Sequence, residues 1–267
     1  MELIPGKVAL VTGSTRGMGR AIARRLLLAG ADVMLHDIDP EQASRFGEAS
    51  ATEDVIAEME SLGRRCGVAY GDLTRRDHAD AIIAATLAKF GRIDILVNNA
   101  GGDIGASGNK PVPNDCVGIP EEDIDVIMDR NLRSVMNMCR AVAPHMMERG
   151  DGSIVSISSL AGMQSVPQGS IYAVAKAGVI HWTRCLSAQL RPHGINVNCV
   201  APGEMRTARF LATRHVPEER LNEQGRLTRL GDPDDVAKAV LFFASDLAAF
   251  VSGQTIVVNG GSYQGTA

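Results

Sequence analysis

The chain has 267 residues, 45% of them hydrophobic, and sets 27 basic against 31 acidic side chains for a formal net charge of -4. That length supports one large core and is short for two comfortable domains, so a single domain over residues 1–267 is expected. Charge of neither sign gathers in a long run, and no stretch approaches the roughly 18 uninterrupted apolar residues of a membrane helix, which argues against nucleic acid or a membrane as principal partner.

From the N-terminus, MELIPGKVALVTG carries no basic segment followed by a long apolar one, so no leader peptide is expected. Short apolar β-branched runs then alternate with segments of helical period: KVALVT, GRAIARRLLLAG, DVMLHD, a polar helical stretch to ESLG, CGVAYGD, ADAIIAATLAKFG and IDILVNN. After IDILVNN come a long loop, a helix around 121–148, the strand GSIVSIS and a helix from about 170 to 191. The strand INVNCVA, an irregular stretch over 203–230, the helix PDDVAKAVLFFAS and the strand QTIVVNGG follow. Strands that read as solid Val, Ile and Leu are buried on both faces, and seven of them predict a doubly wound parallel sheet with helices on both sides, a Rossmann α/β fold. Three stretches, 44–54, 101–120 and 203–230, are too long or irregular for plain connections, and such segments are commonly functional. Five cysteines, Cys66, Cys116, Cys139, Cys185 and Cys199, are odd in number and lack CxxC spacing, which favours reduced thiols in a cytoplasm and offers no metal site.

The first strand runs directly into TGSTRGMGR, which puts Gly13, Gly17 and Gly19 on a strand-to-helix turn. Glycines there let the backbone approach a pyrophosphate, and the following helix offers unpaired N–H groups and the positive end of its dipole. Standing alone, the motif is equally well read as a plain glycine-rich turn. The second strand ends at Asp37, eighteen positions beyond Gly19 and close to the roughly 20-residue offset of an acid that accepts from an adenosine ribose. A carboxylate there repels a 2′-phosphate, whereas Arg16 inside the turn can pair with one. Because a fixed charge excludes while a long arginine can swing to solvent, Asp37 weighs more and NAD is expected over NADP.

In SIYAVAKAGVIHW, Tyr172 and Lys176 lie four apart and share a helix face. A free phenol, with a pKa of about 10, is a poor base at neutral pH, and a neighbouring ammonium favours the phenolate. By itself the pair is weak, since any helix can produce it.

With the turn, Asp37 and YAVAK in place, the chain resembles the short-chain dehydrogenase/reductase family over essentially its whole length. TGSTRGMG is similar to that family's TGxxxGxG, GDLT with Asp72 and Leu73 to its adenine-side element, and NNAG, from Asn98 to Gly101, to the element lying along the cofactor. Asn131 in DRNLRSV resembles its catalytic asparagine, SIVSISS its serine strand, and APGEMRT its turn beside the nicotinamide. The family pattern sets the serine thirteen residues before the tyrosine, which selects Ser159 over Ser158. The resemblance implies a working set of Asn131, Ser159, Tyr172 and Lys176. In it the tyrosine exchanges a proton with substrate, the serine stabilises developing charge, the lysine tunes the tyrosine and holds the nicotinamide ribose, and the asparagine positions a water. It further implies cofactor contacts from Gly13, Ser14, Thr15, Arg16, Gly17, Met18 and Gly19, from Asn99, Ala100 and Gly101, and from Pro202, Gly203, Met205 and Thr207. Tetramers or dimers through the helices near 121–148 and 170–191 and the last strand are implied as well.

Substrate contacts in open α/β sheets come from loops at the carboxyl ends of the strands. The 101–120 loop is longer than the resemblance leads one to expect and carries Asp103, Asn109, Lys110, Asn114 and Asp115, groups able to hydrogen-bond a polyhydroxylated substrate. A surface excursion or subunit contact is an equal reading of it. Gln164, Val166 and Gln168 stand between the serine and the tyrosine, and Arg206 and Arg209, nearest Pro202 and Gly203, are placed to receive a carboxylate or phosphate. The expected activity is NAD-dependent oxidoreduction of a secondary alcohol or ketone in a small polar metabolite: a sugar, polyol or hydroxy acid. The alternatives are a 3-oxoacyl-(acyl-carrier-protein) reductase and, in another class, an NAD-binding sensor or structural subunit without turnover.

Overall fold

The apolar runs become strands because both their faces are covered. The computed structural model describes residues 2–222 and 226–265. Strands β1 (Val8–Thr12), β2 (Asp32–Asp37), β3 (Cys66–Tyr70), β4 (Ile95–Asn98), β5 (Gly152–Ile157), β6 (Ile195–Pro202) and β7 (Thr255–Val258) form one sheet in the order β3-β2-β1-β4-β5-β6-β7. Every pairing is parallel. Alternate residues of one strand serve two cores: Ala9 and Val11 of β1 pack on one face, Val8 and Leu10 on the other.

Helices α1 (Gly17–Leu28), α2 (Thr52–Glu60) and α9 (Pro233–Ala244) cover the first face through Ile22, Leu26, Val55, Met59, Val240 and Phe243. Helices α3 (Arg76–Phe90), α5 (Ser134–Arg149) and α6 (Ser170–Leu190) cover the second through Ile82, Met138, Val142 and Val179. Their ends are written locally. Asp232 caps α9 with Pro233 at its first position and Asp235 closing the capping box. Gly91 and Gly150 end α3 and α5 in the left-handed conformation.

The expected helix over 121–148 is instead α4 (Glu121–Met128), a π turn over Asp129–Arg133, and α5. Asn131 sits in that turn with its amide bonded to the carbonyls of Ile127 and Gly102, so one side chain competes for the helix ladder. The irregular stretch after β6 contains two short helices, α7 (Ala208–Thr213) and α8 (Glu218–Asn222). Residues 44–51 lead into α2 and fold back over the first turn. Among the described residues no helix is long and apolar enough to cross a membrane, and no group of side chains could hold a metal ion.

Connections leave β1 toward β2 on one side while β4 lies on the other, which opens a crevice at the carboxyl ends of β1 and β4. At the opposite end of the sheet, Asp94 is 2% exposed and receives the Val8 N–H at 2.8 Å. It pairs with Arg92 at 2.5 Å and Arg149 at 2.9 Å. Asp94→Ala leaves that donor and both guanidiniums without an acceptor. A loss of about 3 kcal/mol is expected, read as a lower urea midpoint with an unchanged slope; a loss below experimental error would show the pairs to be ornamental.

Candidate active site

The carboxyl end of β1 builds the first wall. Gly13 turns the chain at φ 61°, and a Cβ on Gly19 would stand 2.1 Å from the Gly13 carbonyl oxygen, so neither position accepts a side chain. Ser14 donates to Val11 O at 2.7 Å and accepts the His36 N–H at 3.1 Å. Thr15 Oγ1 donates to Asp37 Oδ2 at 2.6 Å while the Ile38 N–H reaches Oδ1 at 3.1 Å, pinning that carboxylate beside the turn. Met18 packs on the core below.

Residues 44–51 add contacts that sequence reasoning did not find. The Glu48 carboxylate accepts the Gly17 N–H at 2.5 Å, Arg20 donates to the Glu48 carbonyl at 2.9 Å, and the Arg16 guanidinium stacks 4.8 Å over the Phe46 ring. The length of this loop was the only signal. His36 was missed as well. Burial keeps its pKa below the ordinary value, and the neutral ring accepts the Gly13 N–H at Nδ1 and donates from Nε2 to Gly71 O. Beyond it, Asp72 Oδ1 holds the N–H and hydroxyl of Thr74, and Leu73 is buried.

At the end of β4, Thr12 Oγ1 accepts the N–H groups of Asn99 and Ala100 at 2.9 and 3.0 Å. Asn99 Nδ2 returns bonds to the carbonyls of Thr12 and Gly13, both 2.9 Å. Asn131 Oδ1 accepts the Gly102 N–H at 2.8 Å. A Cβ on Gly101 would lie 2.6 Å from that same oxygen and 3.3 Å from Lys176 Nζ, which places the lysine against the strap.

Lys176 is 3% exposed, donates to Ile157 O at 2.9 Å and lies 5.7 Å from the Tyr172 ring centroid. Burial pushes its ammonium down to about 8. The two serines divide as the thirteen-residue spacing suggests. Ser158 is buried and donates to Lys176 O at 2.7 Å, while the half-buried Ser159 accepts the Ala161 N–H at 3.2 Å. Burial of the Tyr172 hydroxyl raises its pKa, Asp103 adds to the rise, and the polar Ser159 hydroxyl and the charges of Arg209 and Arg214 oppose it. The phenol therefore stands above its ordinary value, because desolvation outweighs the neighbouring cations.

The third wall follows β6. Pro202 ends that strand, Gly203 N–H bonds Val258 O at 2.9 Å, Met205 is buried and bridges to Gly231, and Thr207 caps α7 by accepting the Phe210 N–H at 3.2 Å. Arg209 Nη1 reaches back to Gly101 O at 3.4 Å and so comes to the loop after β4 that Asn131 and Lys176 hold. Arg206 does not: it turns to Asp232 at 3.4 Å and lines a separate cavity with Arg220 and Arg229. Gln164 and Gln168 are exposed and make no hydrogen bond among the described residues.

The chain is similar to known proteins over nearly its whole length. A family model described as enoyl-(acyl carrier protein) reductase matches residues 13–263. The chain is 38% identical to the hydroxy(phenyl)methylsuccinyl-CoA dehydrogenase subunit BbsD of Thauera aromatica, over 97% of each chain. It is 35% identical to the 3-oxoacyl-(acyl-carrier-protein) reductase of Thermotoga maritima, over 97% of this chain and 98% of the relative. A solved 7α-hydroxysteroid dehydrogenase, complexed with NADH and 7-oxo glycochenodeoxycholic acid, superposes with a TM-score of 0.84 at 31% identity, over 99% of this chain and 97% of that one.

An unfolded chain keeps the Lys176 proton up to the ordinary 10.5, whereas the folded chain releases it near 8. Burying this ammonium thus opposes folding at neutral pH, and the opposition fades as pH rises from 8 toward 10.5. Lys176→Met is expected to stabilise the protein at pH 7 by on the order of 1–3 kcal/mol, with the gain shrinking by pH 9.5 in urea denaturation. An equal gain at both pH values would contradict the assignment.

Proposed function

The chain belongs to the short-chain dehydrogenase/reductase family, and on that premise we propose that it moves a hydride between NAD and a secondary alcohol or ketone of a small polar metabolite: a sugar, polyol or hydroxy acid. As a family member it is an oxidoreductase of CH–OH and carbonyl groups. The observation that carries the reading is the buried Lys176, bonded to Ile157 O and 5.7 Å from the Tyr172 ring centroid, at the mouth of the β1–β4 crevice.

The first turn fits a dinucleotide. Its Gly17 N–H already holds an anion, the Glu48 carboxylate, so the turn is built to accept negative charge. Gly13 to Gly19 would hold the phosphates, Asp37 the adenosine ribose, Asp72 and Leu73 the adenine side, Asn99 to Gly101 with Lys176 the nicotinamide ribose, and Pro202, Gly203, Met205 and Thr207 the carboxamide. When bound, NAD supplies the hydride acceptor, taking the carbinol hydrogen with both electrons of its C–H bond. Tyr172 Oη takes the hydroxyl proton in oxidation and returns it in reduction. Ser159, held by the Ala161 N–H, donates to the substrate oxygen as charge develops there. Lys176 keeps a positive charge near the phenol, and Asn131 fixes the strap at Gly102 against which substrate and cofactor meet.

NAD is favoured over NADP because Asp37 is pinned by Thr15 and Ile38 and cannot turn away from a 2′-phosphate. The NADH in the solved relative is consistent with that choice. The 3-oxoacyl-(acyl-carrier-protein) reductase alternative is favoured by the Thermotoga relative and by Arg16 in the turn. A cytoplasmic homo-oligomer, a dimer or tetramer, completes the reading. Exposed Val174 on α6 and Leu247 and Phe250 ahead of β7 leave apolar surface for subunits to cover.

Tyr172→Phe is expected to bind NAD normally and to lose about a hundredfold or more in kcat, followed at 340 nm with a panel of secondary alcohols; retained turnover would remove the phenol from the mechanism. Asp37→Ser is expected to move the NAD to NADP ratio of kcat/KM toward NADP by about tenfold or more, as befits one charge interaction. An unmoved ratio would show that Asp37 does not select the cofactor.

A further inference from the structure

Next to the catalytic residues, the loop after β4 builds a polar cluster that the reaction described above does not use. Asn114 lies in mid-loop yet is only 1% exposed. Its Nδ2 donates to Asp103 Oδ2 at 2.9 Å, and its carbonyl accepts the Gly169 N–H at 2.7 Å, immediately before α6 and three residues ahead of Tyr172. Asp103 Oδ2 also lies 3.3 Å from where a Cβ on Gly169 would be, so the carboxylate reaches the start of the catalytic helix. This arrangement leaves three buried polar atoms without a partner: Asp103 Oδ1, Asn114 Oδ1 and Ser170 Oγ.

A buried polar atom left unpaired costs about 1–3 kcal/mol, and three of them where the loop after β4 meets the start of α6 ask for a ligand. Two of them are pure acceptors, and the hydroxyl of Ser170 is both donor and acceptor, so their complement is a group rich in O–H donors. Asp103 and Asn114 both meet Gly169, the residue that leads into α6 and Tyr172, so these acceptors stand beside the start of that helix. The opposite charge stands over the same loop. Arg209 leans over Gly102, where any Cβ would lie 2.5 Å from its Nη1, and the one hydrogen bond of its guanidinium among the described residues is the long contact to Gly101 O. No carboxylate pairs with it at ion-pair distance among the described residues, although Glu204, Asp232 and Asp235 each take other arginines nearby. A half-buried guanidinium kept from its own protein's acids is a fork waiting for a carboxylate.

We propose that the substrate is a polyhydroxylated carboxylate of the sugar-acid type. Hydroxyls beside the reacting carbinol donate to Asp103 and Asn114, and the carboxylate is received by Arg209. The proposal rests on the oxidoreductase reading above and narrows its substrate. Neither apolar alcohols nor thioesters of simple acyl chains satisfy the two buried acceptors.

The test measures NAD-linked rates at 340 nm on three kinds of compound: five- and six-carbon sugar acids, the matching polyols without a carboxylate, and cyclohexanol. Sugar acids are expected to exceed their polyols at least tenfold in kcat/KM. In Arg209→Met that preference is expected to fall to within about twofold, through KM and not kcat. Asp103→Asn is expected to lose at least ten times more on a sugar acid than on cyclohexanol. Equal kcat/KM for acid and polyol in the wild-type enzyme, or equal losses on all three compounds in both variants, overturns the proposal. Turnover of cyclohexanol with none of the sugar acids sinks the substrate assignment and leaves the oxidoreductase reading standing. Absence of turnover on every compound overturns both.

Discussion

One buried hydroxyl joins the two halves of the crevice. Thr12 is 1% exposed, and its Oγ1 accepts from two successive backbone N–H groups of the strap after β4. Asn99 answers with its amide on the carbonyls of Thr12 and Gly13. The dinucleotide turn and the strap therefore cannot move independently. From the strap the same logic runs onward: Gly102 is held at both its N–H and its carbonyl by Asn131, and Gly101 lies against Lys176, which is tied in turn to the end of β5 through Ile157 O. Hydrogen bonds, with the close approach of Gly101 to Lys176, thus link the carboxyl ends of β1, β4 and β5, and pre-organise the site before any substrate arrives.

Charge in the crevice is arranged with equal economy. Arg16, Arg130 and Arg209 are each held below the ordinary guanidinium pKa, chiefly by burial, and each also feels at least one neighbouring arginine. Asp37, Glu48 and Asp72 offset part of that charge at the adenosine end. The three guanidiniums suit the phosphates of a nicotinamide dinucleotide. Glu48 on the Gly17 N–H is the clearest sign of this design, since one carboxylate already satisfies an N–H that a helix start leaves open.

Much of this was legible in the sequence, and the reasons differ by element. Strands such as VALVT and GSIVSI announce themselves because burial on both faces leaves no polar alternation to blur the run. Tyr172 and Lys176 could be paired because one helical turn sets their separation, whereas Ser159 came from the family resemblance and its thirteen-residue pattern. The π turn at Asn131 was not legible: one extra residue in a helix shifts the apolar period too little to notice within five positions. Nor could spacing tell Arg206 from Arg209, three apart, of which one turns to Asp232 and the other to Gly101. The direction of the Tyr172 pKa was misjudged for a different reason. Sequence shows Lys176 four residues on, whereas the desolvation that raises the phenol, and Arg209 and Arg214 that oppose it, come beside Tyr172 only once the chain has folded.

Hydride transfer from a carbinol carbon is tested most directly by isotope tracing. The protein is incubated with NAD and a secondary alcohol deuterated at the carbinol carbon, and the reduced cofactor is isolated for mass spectrometry. The account predicts one deuterium on the nicotinamide ring, from wild-type protein and not from Tyr172→Phe. Reduced cofactor without deuterium, or equal labelling by both proteins, would contradict it.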